Sequence, residues 1–213
     1  TVKRLTHPVR DAKASYETYR KLAAAHGRDP DTMKNCTLFY PVCAATKAEA
    51  EDKVAAYDKL PNDMDQLLLL SEALNFDFAR KGLDEPFTTE EIQNISGMQS
   101  MRDNVMRAGI ANPTVRDFMR ITGRGLLRHH WVGGPKEVAD QMEEWWSTPA
   151  CDGFVIGPTH QPGGFEDFVK FVVPELQRRG IYRKDYTGAT LRDHLGLSRP
   201  KIGDWRKRKS LPA

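Results

Sequence analysis

The alternation between strand and helix is clearest in residues 129–157, which read HHWVGGPKEVADQMEEWWSTPACDGFVIG. The first four residues predict a strand, and Gly133-Gly134 predicts a tight turn before Pro135, a residue favoured at the first position of a helix. The helix is predicted by an apolar stripe at helical spacing, Val138, Ala139, Met142, Trp145 and Trp146. Residues 153–157 form a short run that is nearly all apolar, which is typical of a buried strand.

The same alternation is found upstream. Residues 8–27 predict a helix, and residues 36–45 predict a buried strand, although Pro41 counts against it because proline cannot donate a hydrogen bond to a ladder. Residues 46–60 predict the next helix, since Thr46 and Glu49 have the spacing of a capping box. Strand and helix therefore follow each other directly here as well.

Residues 61–122 differ from both flanks. They contain helical stretches around residues 64–78, 89–110 and 114–121 and no convincing strand. We interpret them as a helical insertion between two strand–helix units. Beyond them, an apolar stripe from Phe165 to Leu176 predicts a last helix that Pro174 should kink or restart.

The order of these elements is that of parallel α/β folds. A closed (β/α)8 barrel needs eight strands and typically takes about 250 residues, whereas this chain shows about three. We therefore expect the C-terminal portion of a TIM barrel: residues 1–179 form that part of the barrel, with the insertion at about 61–122, and residues 180–213 form a charged tail. Three strands leave two open sheet edges and one uncovered face, so we expect the chain to need its N-terminal half or a partner.

Composition narrows the classes of function. The net charge is only +3, and the basic run at residues 206–209 is interpreted as a solvated tail or subunit arm, with a basic-tailed nucleic-acid-binding module as the less favoured alternative. The longest apolar run, residues 67–70, is far too short to span a membrane. Three scattered cysteines fit a reducing cytoplasm, and no cluster has metal-ligand spacing, so we expect no metal.

Several motifs in fixed order carry a resemblance. They are WVGGPKEVADQ (131–141), DGF (152–154), PGGFEDFV (162–169), VVPELQRRG (172–180) and TLRDHLGL (190–197), with GRDP (27–30) and TKAEAE (46–51) upstream. In this order they resemble the C-terminal end of the bacterial-luciferase-like flavin monooxygenases. The branch in question contains nitrilotriacetate monooxygenase and dibenzothiophene sulfone monooxygenase.

The resemblance implies a (β/α)8 barrel, reduced FMN as a diffusible cosubstrate, and molecular oxygen and a small organic compound as substrates. It also implies a separate NAD(P)H-dependent flavin reductase as partner and a homo-oligomer. In that family the N-terminal half carries strands one to five and much of the flavin phosphate site.

The chain departs from the family pattern at two places. The usual Gly-Thr-Pro before the seventh helix is Gly133-Gly134-Pro135 here. A histidine often follows Gly-x-Gly ahead of that strand, whereas this chain has Gly123-Arg124-Gly125-Leu126. The role of that histidine therefore falls to His129, to His130, or to neither.

Candidate site residues follow from the rule that barrel active sites lie at the carboxyl ends of the strands. Gly133 and Gly134 precede a helix start, where free N–H groups form an anion site for FMN; the alternative is a plain tight turn. Thr159 and His160 follow the last strand, where they could face flavin or substrate, with His160 moving a proton; the alternative is an exposed loop.

His129 and His130 alternate across their strand, so only one of them can face the barrel interior and contact flavin or substrate. The alternative for that residue is a hydrogen-bonded core histidine. The sequence predicts three candidate catalytic histidines in all: His129, His130 and His160.

Overall fold

The structure, a computed structural model, describes residues 8–122 and 131–203. These residues form two compact units: an α/β unit (residues 8–50 and 131–203) and a helical unit (residues 51–122). None of the described helices is both long enough and apolar enough to cross a membrane.

The elements in chain order are α1 (Pro8–Ala25), β1 (Cys36–Phe39), β2 (Pro41–Cys43), α2 (Lys47–Tyr57), α3 (Asp63–Leu74), α4 (Thr89–Gln93), α5 (Gln99–Arg107), α6 (Val115–Thr122), β3 (Trp131–Gly133), α7 (Pro135–Ser147), β4 (Gly153–Ile156), α8 (Gly164–Asp167), α9 (Val173–Arg178) and α10 (Leu191–His194). A π-helical segment, Phe168–Val172, joins α8 to α9, and two short 3-10 turns lie at Pro30–Thr32 and Phe78–Arg80.

The strands of the α/β unit pair in parallel, as predicted. Strand β1 pairs with β4 from Cys36↔Gly153 to Phe39↔Ile156. Strand β2 pairs with β3 instead, in the register Pro41↔Trp131. The one strand predicted over residues 36–45 is therefore two, because Pro41 lacks the N–H that would continue the first ladder. The chain changes its neighbour at that residue.

Aromatic rings hold the core of the α/β unit together. The Phe39 ring is fully buried, with its centroid 4.4 Å from that of Trp131 and 5.3 Å from that of Phe154. Trp145 of α7 stacks edge-on against Trp131 at 5.3 Å. The neighbouring Trp146 is 55% exposed, so only the first of the two tryptophans in the predicted stripe belongs to the core.

Pro174 restarts the last helix, as expected of a residue that cannot continue one. It lies in the first turn of α9, directly after the π-helical segment. The buried residues lie four apart: Phe168, Val172 and Leu176. Phe165 and Val169 belong to the predicted stripe but are exposed. Phe165 lies in α8, before the π-helical segment, whereas Val169 lies within that segment, whose wider i→i+5 turn departs from the period of the prediction.

The helical unit has a core of its own. The rings of four phenylalanines lie with centroids 5.0–5.6 Å apart: Phe76, Phe78, Phe87 and Phe118. Beside them Lys81, 8% exposed, pairs with Glu85 at 3.0 Å and with Glu91 at 2.7 Å. The hydrogen bonds to Glu91, which has the larger effect, and to Glu85 raise the pKa of Lys81. Lys81 therefore stays charged although the neighbouring rings exclude water.

The helix predicted over residues 89–110 is interrupted in the structure. Helix α4 ends at Gln93 and α5 begins at Gln99. Between them the N–H groups of Gly97 and Met98 donate to the carbonyls of Leu74 and Ala73, at 2.9 and 2.8 Å. The intervening loop thus caps the end of α3. A Cβ on Gly97 would lie 2.3 Å from the Leu74 carbonyl carbon, so this approach requires glycine.

Candidate functional site

Four of the six predicted site residues lie at carboxyl ends of strands in the described part of the chain. Gly133 ends β3 and Gly134 follows it, while Thr159 and His160 lie in the loop after β4. His129 and His130 fall outside the described residues.

Gly133 and Gly134, at the end of β3, are buried, and neighbouring groups lie close to both of them. A Cβ on Gly133 would lie 2.6 Å from the Cβ of Glu137. A Cβ on Gly134 would lie 3.1 Å from Glu137 Oε2 and 3.3 Å from the backbone N of Lys47. The threonine usual at the second position would therefore be crowded here. Gly134 allows the start of α2 to approach the start of α7.

A cavity of about 530 Å³ opens beside these helix starts. Its lining residues are Ala45, Thr46, Lys47, Gly134, Pro135, Lys136, Glu137, Glu175, Arg178 and Arg179. Gly134 caps α7 without a side-chain hydrogen bond, so the first N–H groups of that helix have no cap from their own N-cap residue. At the start of α2, in contrast, Thr46 and Glu49 form the predicted capping box.

Carboxylates compensate much of the positive charge around this cavity. Arg179 is 2.8 Å from Asp140, 2.7 Å from Glu143 and 2.8 Å from Glu175. Hydrogen bonds from Arg178 and then Arg179 lower the pKa of Glu175 to about 2. The donor set can orient an anion, but its two arginines already have carboxylate partners.

The loop after β4 holds the other predicted pair. Thr159 Oγ1 is buried and has no hydrogen-bond partner within the described residues. The His160 side chain is 32% exposed, with Nε2 3.8 Å from Asp167 Oδ2. Gly163 has φ 111°, and a Cβ there would lie 2.9 Å from His160 Nε2, so the loop bends closely around the imidazole. An unpaired buried hydroxyl next to an accessible histidine suits a polar ligand.

A second cavity, about 320 Å³, lies at the opposite ends of the strands. There the Tyr16 hydroxyl donates to Asp152 Oδ1 and the Asn35 N–H to Asp152 Oδ2, both at 2.8 Å. Burial and the Asp152 carboxylate raise the pKa of Tyr16. Residues at this end of a barrel usually serve stability. Asp152 fits that role because it fixes α1 to both strand starts.

Sequence reasoning missed the ion pairs around Arg179. The four-residue spacing of Glu175 and Arg179 was a readable signal, but the pairing of Arg179 with Asp140 and Glu143 of α7 depends on tertiary packing. No group of three or more His, Cys, Asp or Glu within residues 8–122 and 131–203 could hold a metal ion. The basic run at 206–209 lies outside the described residues.

Comparison with known proteins gives a consistent result. Residues 4–151 match the luciferase-like monooxygenase family model. The chain is 40% identical over 194 residues to nitrilotriacetate monooxygenase component A of Aminobacter aminovorans, covering 90% of this chain and 42% of that protein. It is 31% identical to dibenzothiophene-sulfone monooxygenase of Rhodococcus erythropolis, covering 89% of this chain and 43% of that protein.

Among solved structures, a riboflavin lyase with modified FMN and substrate riboflavin superposes with a TM-score of 0.73 and 28% identity, over 90% of this chain and 42% of that one. The chain thus spans about two fifths of the length of the relatives it matches. The predicted fold class, part of a TIM barrel with parallel strands, is confirmed. The family model, these relatives and the fold agree, and the chain belongs to the luciferase-like monooxygenases.

Proposed function

We propose that this chain is the C-terminal part of a two-component FMN-dependent monooxygenase, which uses reduced FMN and O2 to oxygenate a small organic substrate. The observation that carries the proposal is the match of residues 4–151 to the luciferase-like monooxygenase model. Two relatives named as monooxygenases, one for an aminopolycarboxylate and one for a sulfone, support it.

A partner protein belongs to the proposal. The relative at 40% identity is named component A, a designation that implies a further component. We assign that role to an NAD(P)H-dependent flavin reductase that supplies reduced FMN. The assembled enzyme is proposed to be a homo-oligomer, and Cys36, Cys43 and Cys151, which form no disulfide, suit a reducing cytoplasm.

The residues present fit FMN in part. Thr159 offers a buried hydroxyl that has no hydrogen-bond partner among the residues the structure describes, and Gly133 and Gly134 lead into a helix start beside a cavity of about 530 Å³. We propose that these three residues contact the cofactor. Reduced FMN, when bound, supplies the electrons with which oxygen is activated. The protein's part is to orient the reactants and exclude water.

Proton transfer is assigned to a histidine. His160 Nε2 lies 3.8 Å from Asp167 Oδ2, so the carboxylate can orient the imidazole. We propose His160 as the residue that holds or moves a proton during oxygenation, with His129 and His130 as the other candidates.

The second candidate function is a non-catalytic part that becomes active only with the rest of the barrel. Apolar side chains on β1 and β4 favour it: Leu38 is 54% exposed and Val155 is 51% exposed. We propose that the isolated chain lacks activity and that residues 61–122 are a helical insertion. A lone chain that turned over substrate would contradict the first of these points.

The test uses the full-length protein that contains this chain, with FMN, NADH, a flavin reductase and ¹⁸O2. The expected result is one labelled oxygen atom in an organic product from a panel of aminopolycarboxylates and sulfones. Complete recovery of the oxygen as hydrogen peroxide, across the panel, would contradict the monooxygenase.

The oxygenation test is repeated with two matched variants, His160→Asn and His194→Asn. His160→Asn should lower kcat by about 100-fold or more if the histidine moves a proton. His194 of α10 donates from Nε2 to the Gly188 carbonyl, 3.1 Å away, and serves as the control. Equal activity of the two variants would remove His160 from the mechanism.

A further inference from the structure

One face of the β1–β4 pair is exposed along its length. Phe39 points into the core, so its neighbours Leu38 and Tyr40 point to the other face. Leu38 is opposite Val155 in the register, and both are more than half exposed. This face carries Leu38, Tyr40, Val155 and Gly157, and we call it the strand shelf.

Tyr40 has a fixed position at the carboxyl end of the strand shelf. A Cβ on Gly157 would lie 2.2 Å from Tyr40 Cε1 and 2.6 Å from Cδ1, so the ring rests directly on the Gly157 backbone. The Gly157 N–H donates to the Phe39 carbonyl at 2.9 Å, which fixes that backbone to β1. No residue with a side chain at position 157 could leave the ring where it is.

The other side of the ring is accessible. Tyr40 remains 40% exposed, although one side of its ring is covered by Gly157. It stands at the strand ends where barrel enzymes place their active sites, and Gly157 is two residues before Thr159. Its neighbours on the shelf, Leu38 and Val155, are apolar. An aromatic face flanked by apolar side chains suits a planar ring system and not a phosphate group.

We infer that Tyr40 forms an aromatic wall of the pocket for the isoalloxazine ring of the flavin, and that Gly157 is the positioning residue that seats it. This inference rests on the proposed function, because it takes the flavin from there. It adds two residues that the motifs did not single out for any role.

The experiment measures binding, not turnover, in the full-length protein that contains this chain. The probe is riboflavin, which has the ring system but no phosphate, and the readouts are its fluorescence quenching and anisotropy. The variants are Tyr40→Ala, Tyr40→Phe, Gly157→Ala and the double variant Tyr40→Ala with Gly157→Ala. Tyr19→Ala is the matched control, since Tyr19 is a 52% exposed tyrosine on α1.

Tyr40→Ala should weaken riboflavin binding about three- to tenfold, the range expected for loss of one aromatic stacking partner. Tyr40→Phe should keep the affinity, read by anisotropy, and lose part of the quenching, because phenylalanine stacks but does not donate an electron to the excited flavin. Gly157→Ala should weaken binding as much as Tyr40→Ala does, and the double variant should add nothing, because glycine acts only through the ring. Tyr19→Ala should match the unmodified chain.

Three outcomes overturn the inference: no riboflavin binding by the unmodified full-length protein, unchanged binding after Tyr40→Ala, or fully additive losses in the double variant. If Tyr40→Ala fails to fold, Tyr40→Leu replaces it, since leucine keeps apolar volume without an aromatic face. Failure of the proposed function would look different, because it appears as missing oxygenated product and not as missing ring binding.

Discussion

The two units differ in how completely they bury their apolar side chains. In the helical unit, Phe78, Phe87 and Phe118 are at most 1% exposed, and the Lys81 side chain, 8% exposed, pairs with two carboxylates. In the α/β unit, Phe39 is equally buried, but the opposite sheet face leaves Leu38 and Val155 open. A helical unit can bury its apolar surface with neighbours in sequence, whereas a parallel sheet needs cover on both faces. The stability of the helical unit should therefore depend on its phenylalanine core, and that of the α/β unit on only one face of its sheet.

The largest effect is expected in the core of the helical unit. Phe118→Ala removes a fully buried ring in contact with Phe78 and Phe87, at centroid distances of 5.3 and 5.0 Å. It should lower the free energy of unfolding by about 3–5 kcal/mol in urea denaturation followed by circular dichroism. Met106→Ala, at a side chain 46% exposed, is the control and should change it little. A loss below about 1 kcal/mol at Phe118 would mean that this core is not closed.

A smaller effect is expected at two equivalent helix caps. Thr88 caps α4 and Thr46 caps α2, each in a capping box with a glutamate three residues later. Thr88→Ala and Thr46→Ala should each cost about 1 kcal/mol in the same denaturation assay. Thr89→Ala, inside the first turn of α4, keeps the box and is the control. Unequal losses would show that one unit depends on its cap more than the other.

Each unit contains an ion-pair group that should make its stability sensitive to acid. Hydrogen bonds lower the pKa of Glu91 to about 2, chiefly from Lys81, and that of Glu175 to about 2, chiefly from Arg178. A lowered folded-state pKa stabilises the fold above the ordinary value of 4.5, and this contribution is lost as pH falls from 4.5 towards 2. Melting temperatures measured across this window should fall less steeply for Glu91→Gln and Glu175→Gln.

The matched control for both acid variants is Glu90→Gln, at an acidic residue in the first turn of α4. Its melting profile should follow that of the unmodified chain. Identical profiles for all three variants would mean that neither ion-pair group contributes to acid sensitivity.

The smallest effect is expected on the strand shelf. Val155→Thr changes a side chain that is 51% exposed, so the free energy of unfolding should stay within about 0.5 kcal/mol of its original value. Val138→Thr is the contrast, because Val138 is fully buried and the new hydroxyl should cost about 1–3 kcal/mol. A large loss at Val155 would mean that the shelf is already covered in solution.

Much of the α/β order could be predicted because its signals are local. Pro135 opens α7 as its type favours, the apolar residues before Gly157 form β4, and Thr46 caps α2. Family membership followed from the order of the motifs. None of these inferences needed to know which strand lies beside which.

The remainder depends on contacts between residues distant in sequence. The exchange of strand partners at Pro41 reflects the missing N–H, but the sequence does not say that β4 lies before the break and β3 after it. The interruption at Gly97 depends on hydrogen bonds to the end of α3, and the seat of Tyr40 on Gly157 depends on register. Local periodicity contains no information about either contact.

The register of β1 with β4 has a consequence for the order of folding. Asn35 and Asp152, joined by a hydrogen bond at the start of that pairing, are 117 residues apart in sequence. Closing so long a loop costs chain entropy before the two strands form any stabilising contacts, and such pairings form slowly. The helical unit lies inside this loop and gains its contacts from neighbours in sequence. We expect it to fold first and thereby shorten the flexible span that the two strand ends must search before they meet.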